Sequence, residues 1–368
     1  MTHFHLAYYI SSHGYGHARR STLVVQALLR RFPEIRISLR TTAPAALFQE
    51  LLGPRVERAE VALDPGAVER SPLAIDPAAT LSAVRRALAE RGTVVAAEAA
   101  ALRESGCRLV VADIPFLAGE IAARAGVPCV GISNFTWDWI FEPLFAGLPG
   151  GTEALAQVRR GYGEFEALLR LPFGGVSPAV RRVVPVPLLG RRSAADPRAV
   201  LARIGVAAGD DRSRVLLGQR GGLPPEVLRR AAQGAPELLF LAPGAEGAPL
   251  PNVLPLPPAV GSSFSDLLAV SDIVLAKPGW GILADCIAAE TALLWPPREG
   301  FREDAVALAE ARPYLRQRRL PPERLHSGDW AADLRALLQE PPPEARPRLD
   351  GAEVSAGLLA EWLEAVGD

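Results

Sequence analysis

The stretch Ile273-Val274-Leu275-Ala276-Lys277-Pro278-Gly279-Trp280-Gly281 joins an apolar run to a turn with proline and glycine, and a helical pattern begins at Ile282. This order predicts a buried strand, a tight turn and a helix, which together form one βα unit. Lys277 is the single lysine, although Lys and Arg total 40. Glycine lets the backbone approach a ligand, and helix N-terminal N–H groups and an ammonium group favour phosphate. The stretch is therefore a candidate phosphate site, and a plain strand-to-helix turn is the alternative.

Apolar runs of strand length alternate with longer helical patterns along the chain, which is typical of parallel sheets covered by helices. The strands predicted in the first half are Phe4–Ile10, Ile35–Thr41, Leu109–Ala112 and Val127–Ile132. Those predicted in the second half are Val215–Leu217, Leu238–Leu241, Asn252–Leu256, Ile273–Leu275 and Leu293–Trp295. The predicted helices include Thr22–Arg31, 80–104, 117–125 and Val354–Val366. No pattern orders the segment 54–80, which is rich in Pro and Asp.

The chain has 368 residues, which is longer than an average domain with a single hydrophobic core, so two domains are expected. We predict an α/β protein with two doubly wound, Rossmann-like domains that face each other across a cleft. The predicted linker lies between Pro185 and Pro197, which divides the chain into 1–187, 188–350 and a last helix at 351–368. Ligands of such sheets bind beyond the carboxyl ends of the strands, so the loops that follow strands should carry the chemistry.

The composition is that of an ordinary globular protein, with 49% hydrophobic and 22% charged residues. The formal net charge of −1 gives no basic field for nucleic acid. The three cysteines have neither a disulfide nor a zinc spacing and suit a reducing compartment. No leader pattern and no run of about 18 apolar residues is present. We predict a cytoplasmic protein without a transmembrane segment, and peripheral membrane contact is left open.

Two histidines lie in the loop Ser11-Ser12-His13-Gly14-Tyr15-Gly16-His17, directly after the first predicted strand. A general base needs a tunable pKa and a position at the site, and this loop offers both. His17 is the leading candidate and His13 the second. Zinc binding is the rival, but no neighbouring carboxylate or thiolate completes a ligand set, so no metal is predicted. His3 and His5 precede the loop and are expected to be structural.

Two further loops of the first half follow strands and carry polar side chains. Asp113 comes after the third predicted strand, where a carboxylate either caps a helix or orients a histidine. Asn134, Trp137 and Asp138 come after the fourth. An aromatic face with amide and carboxylate groups would suit a sugar, and an aromatic core is the alternative.

In the second half, the loop Gly218-Gln219-Arg220-Gly221-Gly222 follows the first strand and offers backbone donors for phosphate. Asp285 lies about one turn into the helix after Lys277 and could accept hydrogen bonds from a ribose, or it is simply solvated. Glu303 and Asp304 follow the last strand and are candidates for holding sugar hydroxyls, unless they only begin a helix. The sequence has no GxGxxG fingerprint and no Walker A motif, which disfavours a dehydrogenase or a P-loop enzyme.

These motifs together resemble the GT-B fold glycosyltransferases, in particular the peptidoglycan N-acetylglucosaminyltransferases, the UDP-glucuronosyltransferases and the glycosyltransferase-like N-terminal region of plant L-arabinokinases. The loop 13–17 looks like the family's N-terminal Gly/His loop, and Val110–Asp113 looks like its Asp-bearing strand. Ser133–Asp138 is similar to the arabinokinase-type regions. Leu267–Val274, running into 277–281, resembles the donor-site signature. The resemblance covers 4–140 and 213–310.

The resemblance implies an acceptor-binding first domain, a nucleotide-sugar-binding second domain and a last helix that returns to the first domain. It also implies metal-independent transfer with no cofactor besides the nucleotide sugar. His17 matches the base and Asp113 its carboxylate partner, with His13 as a further catalytic candidate. The donor-site candidates are Gly218, Arg220, Lys277, Pro278, Gly279, Trp280, Gly281, Asp285, Glu303 and Asp304. The acceptor-site candidates are Gly14, Tyr15, Gly16, Asn134, Trp137 and Asp138.

The sequence departs from the family pattern at two positions. Arg19 stands where the family usually has proline, and Asp285 stands where a glutamate more often meets the ribose. We predict an inverting transfer from a UDP- or dTDP-sugar to an acceptor hydroxyl. An isomerase similar to UDP-N-acetylhexosamine 2-epimerases and a non-enzymatic nucleotide-sugar binder are the alternatives.

Overall fold

The computed structural model describes residues 4–218, 223–245, 250–256 and 263–365. Within them the chain forms two units of dense internal contact. The first unit comprises 4–189, 299–307 and 350–365, and the second comprises 190–298 and 308–349, without the undescribed segments. The chain therefore enters the first unit three times, and the boundary at Leu189 and Gly190 falls inside the predicted linker.

The first unit contains a parallel sheet. The described strands of this unit are, in chain order, β1 (His5–Ile10), β2 (Arg36–Arg40), β3 (Val56–Ala59), β4 (Glu69–Ser71), β5 (Ala74–Ile75), β6 (Leu109–Asp113), β7 (Cys129–Ser133), β8 (Ala167–Arg170) and β9 (Val183–Pro185). Seven described strands form the sheet in the order β3-β2-β1-β6-β7-β8-β9, while β4 and β5 form a separate antiparallel ribbon. The central strands β1, β6 and β7 are buried along their whole length. Their nearly continuous apolar sequence suits a sheet covered on both faces.

The second unit repeats this architecture with strands β10 (Arg214–Leu217), β11 (Leu239–Pro243), β12 (Val253–Leu256), β13 (Ile273–Leu275), β14 (Ala292–Trp295) and β15 (Gln317–Arg319). Its six described strands are parallel, in the order β12-β11-β10-β13-β14-β15. The two sheets confirm the predicted fold class of two doubly wound α/β units.

Helices cover both sheets. They are α1 (Gly16–Arg31), α2 (Pro77–Glu104), α3 (Leu117–Ala125), α4 (Trp137–Phe145), α5 (Gly151–Gly163), α6 (Pro197–Ile204), α7 (Pro225–Gly234), α8 (Phe264–Ala269), α9 (Trp280–Ala289), α10 (Arg302–Ala311), α11 (Pro322–Ser327), α12 (Ala331–Gln339) and α13 (Gly351–Ala365). Short 3₁₀ turns occupy Ala45–Phe48 and Arg312–Tyr314. Among the described residues, no helix combines the length and the apolar character that crossing a bilayer requires.

Each sheet has one topological switch point, where successive strands are added to one side of the first strand and then to the other. In the first unit β2 lies on one side of β1 and β6 on the other, and Ile10 pairs with Asp113. In the second unit β11 and β13 flank β10, and Leu217 pairs with Leu275. Doubly wound sheets bind ligands beyond the strand ends at such points. The loops after β1, β6, β10 and β13 are therefore the ones placed for function.

Two late segments of the chain belong to the first unit. The last helix, α13, packs on α1, and Arg30 Nη2 donates to Glu353 Oε1 at 2.8 Å. The segment 299–307 pairs with β5, where the Glu299 carbonyl accepts a hydrogen bond of 3.1 Å from the Ile75 N–H. Phe301 is buried in the core of this unit. Local sequence patterns show none of these long-range contacts.

Tyr162 links the chain just after β6 to the start of α4, two places close to the candidate site residues Asp113 and Asp138. Its side chain is fully buried. The hydroxyl group donates to the Ile114 carbonyl at 2.8 Å and accepts from the Trp137 N–H at 2.9 Å. One phenol therefore satisfies a carbonyl just after β6 and the first N–H of α4.

Replacing this phenol tests that arrangement. Tyr162→Phe leaves both buried backbone groups without their partner, which should lower the free energy of unfolding by about 1–3 kcal/mol. Urea denaturation followed by circular dichroism measures the change. Tyr15→Phe is the matched control, because it removes the same hydroxyl group from a side chain that is 39% exposed. Equal denaturation midpoints for the two variants would contradict the proposed link.

Candidate active site

His17 and Asp113 meet at the switch point of the first unit. Asp113 is the last residue of β6, and His17 is the second residue of α1. The His17 Nδ1 atom lies 2.9 Å from Asp113 Oδ1, with exposed fractions of 5% and 1%. The predicted pair is therefore in direct hydrogen-bond contact, although the two residues are far apart in sequence.

A buried arginine completes this pair. Arg20 is 5% exposed and lies one turn after His17 on α1. Its Nε donates to Asp113 Oδ2 at 2.7 Å, and Nη2 donates to Asp113 Oδ1. No sequence motif pointed to Arg20 as a functional residue. The available signal was its spacing, because residues i and i+3 of a helix share a face.

The surroundings determine the charge of both groups. Burial by itself raises the pKa of Asp113, but the Arg20 guanidinium and His17 outweigh it and hold that pKa at about 2. Burial and then the Arg20 charge lower the pKa of His17 below 6.5, against the opposing effect of Asp113. Asp113 is therefore an ionised acceptor at neutral pH, and His17 is a neutral imidazole.

The acceptor-site candidates after β7 are buried. Asn134 is fully buried; its Oδ1 accepts from Arg20 Nη1 at 2.6 Å, and its Nδ2 donates to the Phe173 carbonyl at 3.1 Å. Asp138, also fully buried, lies 3.3 Å from the Nε of Arg159 through its Oδ2. The amide of Asn134 thus supports Arg20, and Asp138 pairs with a cation of α5.

Trp137 lies in an aromatic stack beneath both loop histidines. It is 1% exposed and stacks on Phe141 at a centroid distance of 5.3 Å. The His13 ring meets it edge-on at 5.3 Å, and the His17 ring lies 6.1 Å away. The indole therefore forms the wall against which the candidate bases pack, and its predicted contact with an acceptor stays a prediction.

The Gly/His loop leads from β1 into α1. Gly14 has a φ of +69°, which favours glycine, and Gly16 is the first residue of α1. Tyr15 between them is 39% exposed. His13 Nε2 lies 4.0 Å from Glu69 Oε1. Only Gly14 has a clear conformational reason for its residue type.

Asp64 is a titratable group that the sequence analysis missed, because it lies in the segment 54–80 that no pattern ordered. Its Oδ1 accepts from Ser11 Oγ at 2.9 Å and from the Gly66 N–H at 3.1 Å. Its Oδ2 is buried, and the Trp137 side chain is a further hydrogen-bond partner of this carboxyl group. Burial raises the pKa of Asp64 to about 6, and the hydrogen bonds from Ser11, Gly66 and Trp137 offset only part of this rise.

The candidate donor loops of the second unit also meet at a switch point. The Gly218 N–H donates to the Leu275 carbonyl at 2.9 Å, which brings the loop after β10 beside the loop after β13. Lys277 and Pro278 follow Leu275, and Gly279 is the N-cap of α9. The N–H groups at the start of this helix therefore follow the single lysine within a few residues.

The other donor-site candidates have different positions. Trp280 begins α9 and is 7% exposed; Gly281 follows it, and Asp285 is partly exposed further along the helix. Glu303 and Asp304 lie in the first turn of α10, within the segment that belongs to the first unit. Arg220 lies outside the described residues. In the described ranges, no group of three or more His, Cys, Asp or Glu side chains could hold a metal ion.

Comparison with known proteins agrees with this architecture. No protein-family model matches the chain. It is 29% identical to the L-arabinokinase of Arabidopsis thaliana over 364 residues, which are 98% of this chain and 34% of that protein. The chain therefore spans about a third of that relative.

Solved glycosyltransferase structures are similar over their whole length. The calicheamicin glycosyltransferase CalG4 has a TM-score of 0.63 and 20% identity, covering 100% of this chain and 98% of that one. Arabidopsis thaliana UGT89C1, in complex with quercetin, has a TM-score of 0.66 and 14% identity, with 98% and 100% covered. The glycosyltransferase SnogD from Streptomyces nogalater has a TM-score of 0.56 and 18% identity, with 98% and 100% covered. The chain thus has the GT-B glycosyltransferase fold.

The raised pKa of Asp64 predicts a pH-dependent stability. Its folded-state value of about 6 exceeds the ordinary value of 3.8, so the protonated group stabilises the fold below pH 3.8. This stability is lost as the pH rises through about 6, which should cost about 1–3 kcal/mol. Asp64→Asn cannot ionise, and it should be more stable than wild type at pH 8 but not at pH 4.

Denaturation midpoints of wild type and variant between pH 4 and pH 8 measure this difference. Glu90→Gln is the control, because it removes an exposed carboxylate of α2 in the same unit. A constant difference between wild type and Asp64→Asn across this range would contradict the assignment.

Proposed function

We propose that this chain is a glycosyltransferase that moves a sugar from a nucleotide diphosphate sugar, with UDP or dTDP as the nucleotide, to an acceptor hydroxyl. The hydrogen bond of 2.9 Å between His17 Nδ1 and Asp113 carries the proposal. It lies at the switch point of the first sheet, where ligands of this architecture bind. We further propose inversion at the anomeric carbon, because a single base suits a single displacement.

The chemistry needs one proton acceptor on the first unit. Asp113 accepts from Nδ1–H, so the His17 lone pair lies on Nε2, which has no hydrogen bond to any described residue. Nε2 takes the proton of the acceptor hydroxyl, and the acceptor oxygen forms its bond to the anomeric carbon. The bond from that carbon to the phosphate oxygen breaks, and the nucleoside diphosphate leaves with the electron pair. Asp113 stabilises the imidazolium that results.

The second unit would stabilise the departing diphosphate. Gly279 caps α9, so the helix presents its first N–H groups beyond β13, and Lys277 adds a positive charge beside them. Both features favour an anion. We therefore propose that transfer needs no metal ion, and activity that is retained in EDTA is the test.

We also propose that the donor and a small-molecule or glycan acceptor are its binding partners, and that the protein is cytoplasmic. The three cysteines support this location, since Cys107, Cys129 and Cys286 are buried free thiols. The named activity of the arabinokinase relative belongs to a protein about three times as long, so it supports only the choice of sugar chemistry.

The histidine base is tested with His17→Ala. Incubation with UDP- and dTDP-sugars and candidate acceptors should give product with wild type, and His17→Ala should lower kcat by about 10²–10⁴-fold with unchanged donor affinity. Because the neutral imidazole is the active form and its pKa is lowered, wild-type activity should stay level down to pH 6.5 and fall only below it.

His326→Ala is the control, since His326 is an exposed residue of α11 in the second unit. Full activity in His17→Ala would refute the base. Asp113→Asn is a less clean variant, because it also leaves the buried Arg20 without its anionic partner and should cost about 3–5 kcal/mol of stability.

The donor site is tested with Lys277→Ala. Removing an ammonium group beside a helix N-terminus should weaken UDP or dTDP binding by about tenfold to a hundredfold, since charge-assisted phosphate contacts contribute about 1.5–3 kcal/mol. Calorimetric titration measures the affinity. Lys277→Arg keeps the charge and should retain most of it. An unchanged affinity in Lys277→Ala would remove Lys277 from the phosphate site.

A further inference from the structure

Arg20 has a place in the site that the proton transfer itself does not use. Besides Asp113, its guanidinium contacts the carboxyl end of β7: Nη2 donates to Ser133 Oγ at 2.8 Å, and Nη1 donates to Oδ1 of the following residue, Asn134, at 2.6 Å. One buried side chain thus ties α1 to the carboxyl ends of β6 and β7. The helix turn that carries His17 is held by these bonds.

The carboxylate of Asp113 is fully occupied. Its Oδ1 accepts from His17 Nδ1 and Arg20 Nη2, and its Oδ2 accepts from Arg20 Nε and from Ser21 Oγ at 2.9 Å. A carboxylate has about four acceptor positions. Because three of them are taken by Arg20 and Ser21, the carboxylate cannot turn, and the fourth is aimed at His17.

The same bonds determine the tautomer of His17. Arg20 Nη2 also lies 3.0 Å from His17 Nδ1, within hydrogen-bond reach, and the same nitrogen contacts Asp113 Oδ1 and Ser133 Oγ. Asp113 is ionised and only accepts, so the hydrogen between Nδ1 and Oδ1 belongs to the imidazole. The lone pair is consequently on Nε2, the atom a base needs.

Arg20 also balances the charge of the site. With Arg20 positive, Asp113 negative and His17 neutral, the cluster has no net charge, and protonation of His17 would bury one positive charge. The Arg20 charge acts with burial to lower the pKa of His17, and Asp113 opposes them. Tyr8, Asp64 and Tyr162 also interact electrostatically with Asp113. All three are uncharged or only partly charged near pH 6 or below.

We propose that Arg20 is a positioning residue that locks the Asp113 carboxylate and thereby holds His17 as a neutral imidazole with its hydrogen on Nδ1. Its catalytic consequence rests on the proposed transfer reaction, whereas the state of His17 can be observed without any reaction.

The state of His17 is measured by nitrogen NMR of the imidazole rings across a pH titration, with His17→Ala used to assign the signals. Wild type should show one tautomer, with hydrogen on Nδ1 and bare Nε2. Arg20→Gln removes the charge and part of the fork, so the pKa of His17 should rise by about 1 to 3 pH units and the second tautomer should appear. Arg19→Gln is the matched control, because it removes the same charge at the exposed neighbouring position and should titrate as wild type.

The proposal is overturned if His17 in Arg20→Gln keeps the wild-type titration and tautomer. If that variant does not fold, Arg20→Lys replaces it, since it keeps the charge but loses the planar fork. A mixture of tautomers at a still lowered pKa would then support the proposal, and a single wild-type tautomer would overturn it.

Kinetics separate this proposal from the proposed function. If transfer occurs, the acidic limb of kcat should move upward in Arg20→Gln by the same interval as the His17 titration, with KM for the donor unchanged. If the pH dependence of kcat in Arg20→Gln stays that of wild type although the pKa of His17 has changed, the positioning role is overturned. If no donor is turned over, the proposed function fails while the NMR result still decides the state of His17.

Discussion

The buried ion pair between Arg20 and Asp113 is the interaction on which the candidate site depends. Two charges are taken out of water in the core of the first unit, which is favourable only when nearly every hydrogen bond is made. The structure meets that condition with donors from His17 and Ser21 and with acceptors after β7. Because removing either charge leaves the other buried and alone, the geometry of His17 cannot vary without a large cost to the fold.

The switch points explain why the chemistry is gathered where it is. In both sheets the chain winds away from a central pair of strands in opposite directions, so the loops after these strands are not covered by a crossover helix. In the first unit this exposes the loop of His17 beside Asp113, and in the second it places Gly218 beside the turn of Lys277. The position of the switch point thus accounts for where the candidate base lies in the first unit and where the candidate anion site lies in the second.

The segment 299–307 shows how far the tertiary structure departs from the order of the sequence. It follows β14 directly, yet it pairs with β5, buries Phe301 and places Arg302 over the Trp139 ring at 4.5 Å. Glu303 and Asp304 are therefore held in the first unit, although the sequence assigned them to the second domain. The ribbon of β4 and β5, which pairs with this segment, lies in the stretch 54–80. Asp64 lies in the same stretch, which showed no periodic pattern in the sequence.

The sequence by itself determined the βα alternation, most of the central strands and the strand ends and connections near which His17, Asp113 and Lys277 lie. These are local properties, because hydrophobic periodicity and Gly-Pro turns act over a few residues. It did not show β8, β9, α4 and α5, since the two strands are only four and three residues long and α4 contains Pro143. Only the tertiary structure decided that Arg20 saturates Asp113, that Asn134 supports Arg20, and that Asp64 is buried beside Ser11. Those contacts join residues 53 to 114 positions apart, and the burial that makes them strong exists only once the sheet and its helices have packed.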